Sequence, residues 1–165
     1  MVYNWQNSTE TEIMTTIVYD YKTHSIGYDS RICRGDVILS DSFEKWLMKD
    51  GIHFFYAGSV ADFDEFMRAD KTFGNKCPTA VGVSVLMVRD NVVYECGFDE
   101  DDGYWEVECK YNIAIGSGSQ FALAALACGK SALEAVKIAA TFDPYTGGEI
   151  YEHKIGAPKI GRVYA

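Results

Sequence analysis

TTIVYDYKTHSIGYDSR, running from Thr15 to Arg31, decides how this chain is read. From Thr15 to Tyr21, β-branched and aromatic residues dominate, which predicts a strand. A turn at Lys22 to His24 leads into a second predicted strand, Ser25 to Ser30. Met14 stands directly before the two threonines. That order matters because a threonine hydroxyl is a poor nucleophile until a base takes its proton, and a threonine that begins a chain carries such a base in its own α-amine. With Met14 removed, Thr15 has both groups. With Met14 attached, it is a β-branched strand residue.

Working outward, 165 residues suit one domain with a sizeable core, and 48% hydrophobic with 14% aromatic residues excludes a disordered chain. The formal net charge of -9 argues against a nucleic-acid partner, whose phosphates would be repelled. No run approaches the ~20 apolar residues that span a bilayer. MVYNWQNSTETEI, residues 1–13, carries Glu10 and Glu12 and no basic residue, so it reads as a polar tail rather than a secretory or transit signal. Cys33, Cys77, Cys96, Cys109 and Cys128 are odd in number, widely spaced and without a CxxC pair. They read as buried thiols of a reducing cytoplasm, not as zinc ligands or disulfides, and no metal or cofactor is expected.

Further along, Asp50-Gly51 signals a hairpin turn before a strand at His53 to Ala57. GSVADFDEFMRAD then spaces Val60, Phe63, Phe66 and Met67 as a helix, with Ser59 and Asp62 at its cap. AVGVSVLMVRDNVVYECG predicts a hairpin turning at Asp90-Asn91. DEDDG, Asp99 to Gly103, lacks the alternate ligands of a calcium loop and has Lys110 where the closing glutamate would stand, so it reads as a solvated turn into YWEVECK. In IAIGSGSQFALAALACGKSALEAVKIAATFDPYTGG, a strand ends at Gly116 and a helix of small residues runs from about Gln120 to Cys128. Gly129 stops it, and Ser131 with Glu134 forms a capping box for the next helix. GSGS matches neither a dinucleotide fingerprint nor a P-loop. EIYEHKI predicts a last strand. Hairpins with segregated helices predict an α+β fold, two antiparallel sheets packed together under outer helices.

TTIVYDYKTHSIGYDSR resembles the opening of proteasome β subunits and HslV peptidases. FEKW, YAGSVADF, AIGSGSQFALAA, SALEAV and DPYTGG resemble further blocks of that family, in order, from Met14 to about Tyr151. The resemblance implies a four-layer αββα N-terminal-nucleophile hydrolase fold, with residues 1–14 a leader and 15–165 one domain. It implies Thr15 as nucleophile, its α-amine as base, Lys45 beside it, and Asp29, sixteen residues earlier, holding Lys45. It further implies that the Gly58 N–H faces the oxyanion, and that Ser117, Asp143 and Thr146 line the amine, with Thr146 in place of the family's more usual serine. Ile32, Leu47, Tyr56 and Val60 would line an apolar specificity pocket suited to small or medium apolar residues. Taken singly, these residues have plainer readings: Asp29 with Arg31 as a turn salt bridge, Lys45 as a surface lysine, Ser117 and Asp143 as helix-end residues. His24, His53 and His153 show no ligand spacing and read as surface or packing residues, as do Trp5, Trp46 and Trp105 for packing.

Thr15 would be freed either by translation from Met14 followed by methionine removal, which the MTTIV order favours, or by self-cleavage. Only residues 59–79 separate the AGS turn from the next hairpin, enough for one short helix where the family has two long ones, so the first helical layer is expected to be shortened. The implied function is a threonine endopeptidase acting on protein or peptide, homo-oligomeric; the resemblance extends to a ring form and to an ATP-dependent unfoldase as partner. The alternatives are a silent assembly subunit and an amidohydrolase acting on a small amide.

Overall fold

The computed structural model describes residues 12–77 and 82–156; Trp5 and most of residues 1–14 lie outside them. The elements run β1 (Glu12–Ile13), β2 (Ile17–Asp20), β3 (Ser25–Tyr28), β4 (Ile32–Arg34), β5 (Val37–Ser40), β6 (Trp46–Lys49), β7 (Ile52–Ser59), α1 (Val60–Arg68), β8 (Val83–Arg89), β9 (Val92–Asp99), β10 (Gly103–Glu108), β11 (Ile113–Ile115), α2 (Ser119–Ala127), α3 (Ala132–Phe142) and β12 (Tyr151–Lys154). The larger sheet has the order β10-β9-β8-β7-β1-β4-β5, with β6 also on β7; the smaller is β11-β2-β3-β12. Every strand pairing is antiparallel.

Side chains alternate across a strand, so a strand covered on both faces feeds two cores. Phe55, Ala57, Leu86 and Val88 of the larger sheet meet Ile17, Tyr19 and Ile26 of the smaller one. The intervening Phe54, Tyr56, Val85 and Met87 turn the other way and pack under Phe63 and Phe66 of α1. Val18, between Ile17 and Tyr19, joins Ala122, Ala125 and Leu126 of α2 and Ala132, Ala135, Val136 and Ala139 of α3. Three interlayer cores define four layers, αββα, and the fold class is the expected one.

The local signals act as their chemistry requires. Asp50-Gly51 and Asp90-Asn91 all have positive φ, the backbone of tight hairpin turns whose twist suits the flanking strands. Ser59 caps α1 by accepting from the Asp62 N–H, and Ser131 with Glu134 forms the full capping box of α3. Among the described residues a single nine-residue helix covers the larger sheet, so the first helical layer is short. Beyond it, Lys71 donates to the carbonyls of Phe66, Met67 and Ala69 and lies over the Phe66 ring, which closes the helix end. The acidic turn is an Asx turn in which Asp99 accepts from the Asp101 and Asp102 N–H groups. The hairpin β4–β5 and the strand β6 have no counterpart in the sequence reading.

The histidines pack. His24 bridges the Tyr19 hydroxyl and the Asn91 carbonyl. His53 of β7 and His153 of β12 put their rings 5.1 Å apart across the two sheets, beside Phe55 and Trp46. Burial, then the neighbouring His53, pushes His153 below its ordinary pKa. The unfolded chain therefore binds this proton more readily, and stability falls as pH drops through about 6.5, the unfolded value. His153→Phe keeps a ring at the seam, and should flatten the fall in Tm measured between about pH 7.5 and 5.5.

Candidate active site

Alternation along the first strand governs the site. Thr15 follows the Ile17 and Tyr19 parity toward the space between the sheets, whereas Thr16 follows Val18 toward α2 and α3. The β2–β3 hairpin returns Asp29 beside them, with the Asp29 N–H donating to the Thr16 carbonyl at 3.3 Å. Lys45 enters immediately before β6, and its carbonyl accepts from the Tyr56 N–H at 3.1 Å. Pairing of β11 with β2 carries the following turn, and Ser117 with it, to Thr15.

Thr15, Asp29 and Lys45 are all fully buried. The Lys45 Nζ donates to Thr15 Oγ1 at 2.6 Å and to Asp29 Oδ1 at 2.9 Å. Thr15 Oγ1 also donates to Asp29 Oδ1. Asp29 further accepts from the backbone N–H of Thr16 at 3.2 Å and of Gly147 at 2.7 Å. Burial lowers the Lys45 pKa from its ordinary value, and Asp29 opposes that shift by attraction and hydrogen bonding. The result is a cation held against a hydroxyl in a site without solvent contact.

The second group lies on the other side of Thr15. Ser117 Oγ and Thr146 Oγ1 both donate to Asp143 Oδ2 at 2.6 Å. Ser117 Oγ is 3.4 Å from the Thr15 carbonyl, and Thr146 Oγ1 is 2.7 Å from Thr16 Oγ1. Asp143 is the C-cap of α3, so it serves the helix end and this group together. Ser117 differs from its helix-cap reading: the N-cap of α2 is Gly118 and no side chain caps it.

Two plain readings are corrected. The Arg31 guanidinium does not pair with Asp29, which from Arg31 takes only the backbone N–H, at 3.4 Å. The guanidinium makes a two-pronged pair with Asp41 at 2.8 and 3.2 Å and donates to the Pro144 carbonyl. Lys45 is not a surface lysine. Gly58, next to last in β7, has φ 120°, and a side chain there would meet the Gly82 carbonyl at 2.2 Å, so only glycine fits. In register it stands opposite Ile13. Ile32, Leu47 and Tyr56 lie in one apolar cluster with Val60, the first residue of α1, and the Tyr56 ring is stacked on Phe63 at 3.5 Å. Burial raises the Tyr56 phenol to about 12, so it stays neutral. The sequence reading passed over Thr16 and Gly147, although the period-2 parity of β2 was a usable signal for Thr16.

No family profile and no curated protein matches the chain. Solved structures do. HslV from Trypanosoma brucei is 20% identical over 84% of this chain and 98% of its own, with a TM-score of 0.63. BPH of Thiobacillus denitrificans, solved alone and in complex with epoxomicin, is 17% identical in each case. It covers 87% and 86% of this chain and 98% of its own, with a TM-score of 0.59. The chain therefore has the fold of HslV and of BPH.

The buried pair makes a stability prediction independent of any activity. Lys45→Met leaves Asp29 charged and short of its cation, and urea denaturation should show a loss of about 3 kcal/mol. Adding Asp29→Asn to that variant should recover part of the loss, because a neutral amide needs no counter-charge.

Proposed function

We propose that the chain is a threonine peptidase of the proteasome β and HslV family, active when it begins at Thr15, with residues 1–14 a leader outside the 15–165 domain. The observation that carries this reading is the buried contact of Lys45 Nζ with Thr15 Oγ1, held by Asp29.

In the proposed reaction the freed α-amine of Thr15 takes the Oγ1 proton as that oxygen attacks the scissile carbonyl. A free α-amine titrates at about 7.7–8.0, and the Lys45 ammonium favours its neutral form. Lys45 also stabilises negative charge growing on Oγ1. The Gly58 N–H receives the oxyanion, a donor whose loss typically costs ~2.7–4 kcal/mol of barrier. Collapse breaks the C–N bond, and the leaving amine takes the proton from the Thr15 ammonium. Water, deprotonated by the same amine, then hydrolyses the ester on Thr15 and returns Oγ1–H. Ser117, Asp143 and Thr146 would hold the amine in place.

The leader supports this reading as well. Its described strand, β1, fills the slot between β4 and β7, with Glu12 opposite Cys33 and Ser59 and Ile13 opposite Gly58. A peptide strand thus already runs past the proposed oxyanion glycine, beside the apolar cluster of Ile32, Leu47, Tyr56 and Val60. We assign the slot to extended peptide and the cluster to the side chain at the cut. The reading carries with it a homo-oligomer, a ring in form, working in the cytoplasm with an ATP-dependent unfoldase.

Protein purified from its native gene context should have the mass of a chain beginning at Thr15 and gain one inhibitor mass from epoxomicin. Thr15→Ala should abolish labelling and casein cleavage. A chain that keeps residues 1–14 and takes no label would instead be a silent assembly subunit. On a fluorogenic peptide panel the enzyme should prefer small or medium apolar residues before the cut; preference for Arg or Lys would refute the pocket assignment.

A further inference from the structure

Gly118, the second glycine of GSGS, has a reason that the proposed reaction leaves unstated. A Cβ placed on it would sit 2.0 Å from Thr16 Oγ1, 3.0 Å from Thr146 Oγ1 and 3.2 Å from Asp143 Oδ2. The glycine keeps open the space in which three oxygens meet, and Thr16 is the nearest of them.

The direction of these hydrogen bonds follows from counting protons. An ionised carboxylate only accepts, and a hydroxyl has one proton to give. Asp143 Oδ2 receives both Ser117 Oγ and Thr146 Oγ1 at 2.6 Å, so both protons are committed. The 2.7 Å contact between Thr16 and Thr146 must then run from Thr16 to Thr146. Thr16 is also fixed by its backbone, which donates to Asp29 Oδ1 and accepts from the Asp29 N–H. It is fully buried.

We infer that Thr16 is a positioning residue that ties the Asp29–Lys45 half of the site to the Asp143 half. Its hydroxyl orients Thr146 onto Asp143, which leaves the Ser117 oxygen with its proton directed at Asp143 and its lone pairs free. A free lone pair on Ser117 is what a protonated α-amine at Thr15 would need as acceptor, so this inference rests on the peptidase reading. Gly118 is the space requirement of the same device.

The test uses the full chain. Thr16→Val removes the hydroxyl at nearly constant shape and keeps the backbone bonds. With rates normalised to active sites titrated by epoxomicin, kcat should fall about tenfold or more while KM stays within about twofold. Thr16→Ser should restore kcat to near the parent value, and Gly118→Ala should lower it as Thr16→Val does. Parent-like kcat in Thr16→Val, or equal impairment in Thr16→Ser, overturns the inference. A parent protein without activity refutes the peptidase reading instead. The crystal structure of Thr16→Val then decides the positioning role alone: Thr146 turned away from Asp143 supports it, and both residues unmoved overturn it.

Discussion

A lysine ammonium buried against an aspartate is the constraint that the rest of the structure serves. Removing two such ions from water costs several kcal/mol each, and mutual attraction offsets that only when the remaining lone pairs and protons are also satisfied. Asp29 meets the condition with donors from five residues: the Thr15 hydroxyl, the Lys45 ammonium, and the backbones of Thr16, Arg31 and Gly147. Those residues lie in three separate parts of the chain. Bringing them to one carboxylate requires the β2–β3 hairpin, the entry to β6 and the turn after α3 to converge. The pair is poor value as a stabiliser, since apolar side chains would fill the same space at less risk. In the proposed reaction, its contact with a hydroxyl gives it a chemical use.

The four layers make that convergence affordable. Strands buried on both faces alternate strictly between cores, so two consecutive threonines face opposite ways. One reaches the ion pair between the sheets and the other reaches the helix layer. The small side chains of α2 and α3 let both helices lie close on the smaller sheet, and the closeness puts Ser117 and the end of α3 within reach of Thr15 and Thr16. Arg31 adds a strap from outside: pairing with Asp41 and the Pro144 carbonyl, it ties the β4 approach to the loop that supplies Gly147.

Much of this was legible in the residues. Turn chemistry at Asp50-Gly51 and Asp90-Asn91, and the capping box at Ser131 and Glu134, are local signals that tertiary structure had no cause to override. Hairpin β4–β5 was not legible because VILS is a short continuous apolar run that stays largely exposed at the sheet edge, with Val37 at 62%, so it shows no alternation to read. The burial of Lys45 was invisible to composition, since lysine is ordinarily solvated, and only the ordered resemblance singled it out. Arg31 was misjudged for a geometric reason. Its neighbour in sequence, Asp29, points inward to Lys45, while the partner it takes is supplied from across the loop.

One further property follows from where β1 lies. Within the described residues, β4 reaches β7 through this two-residue strand and through no direct pairing of its own. Strip those two residues out, and the larger sheet is cut in two along a gap one strand wide. The β4–β5 arm is then a cantilever, held by chain connectivity, the packing of Ile32, the Tyr145–Asp36 hydrogen bond and the Arg31 strap. Whichever extended segment next slides into the gap would rejoin the halves, so occupancy of the cleft and rigidity of the arm are mechanically one variable.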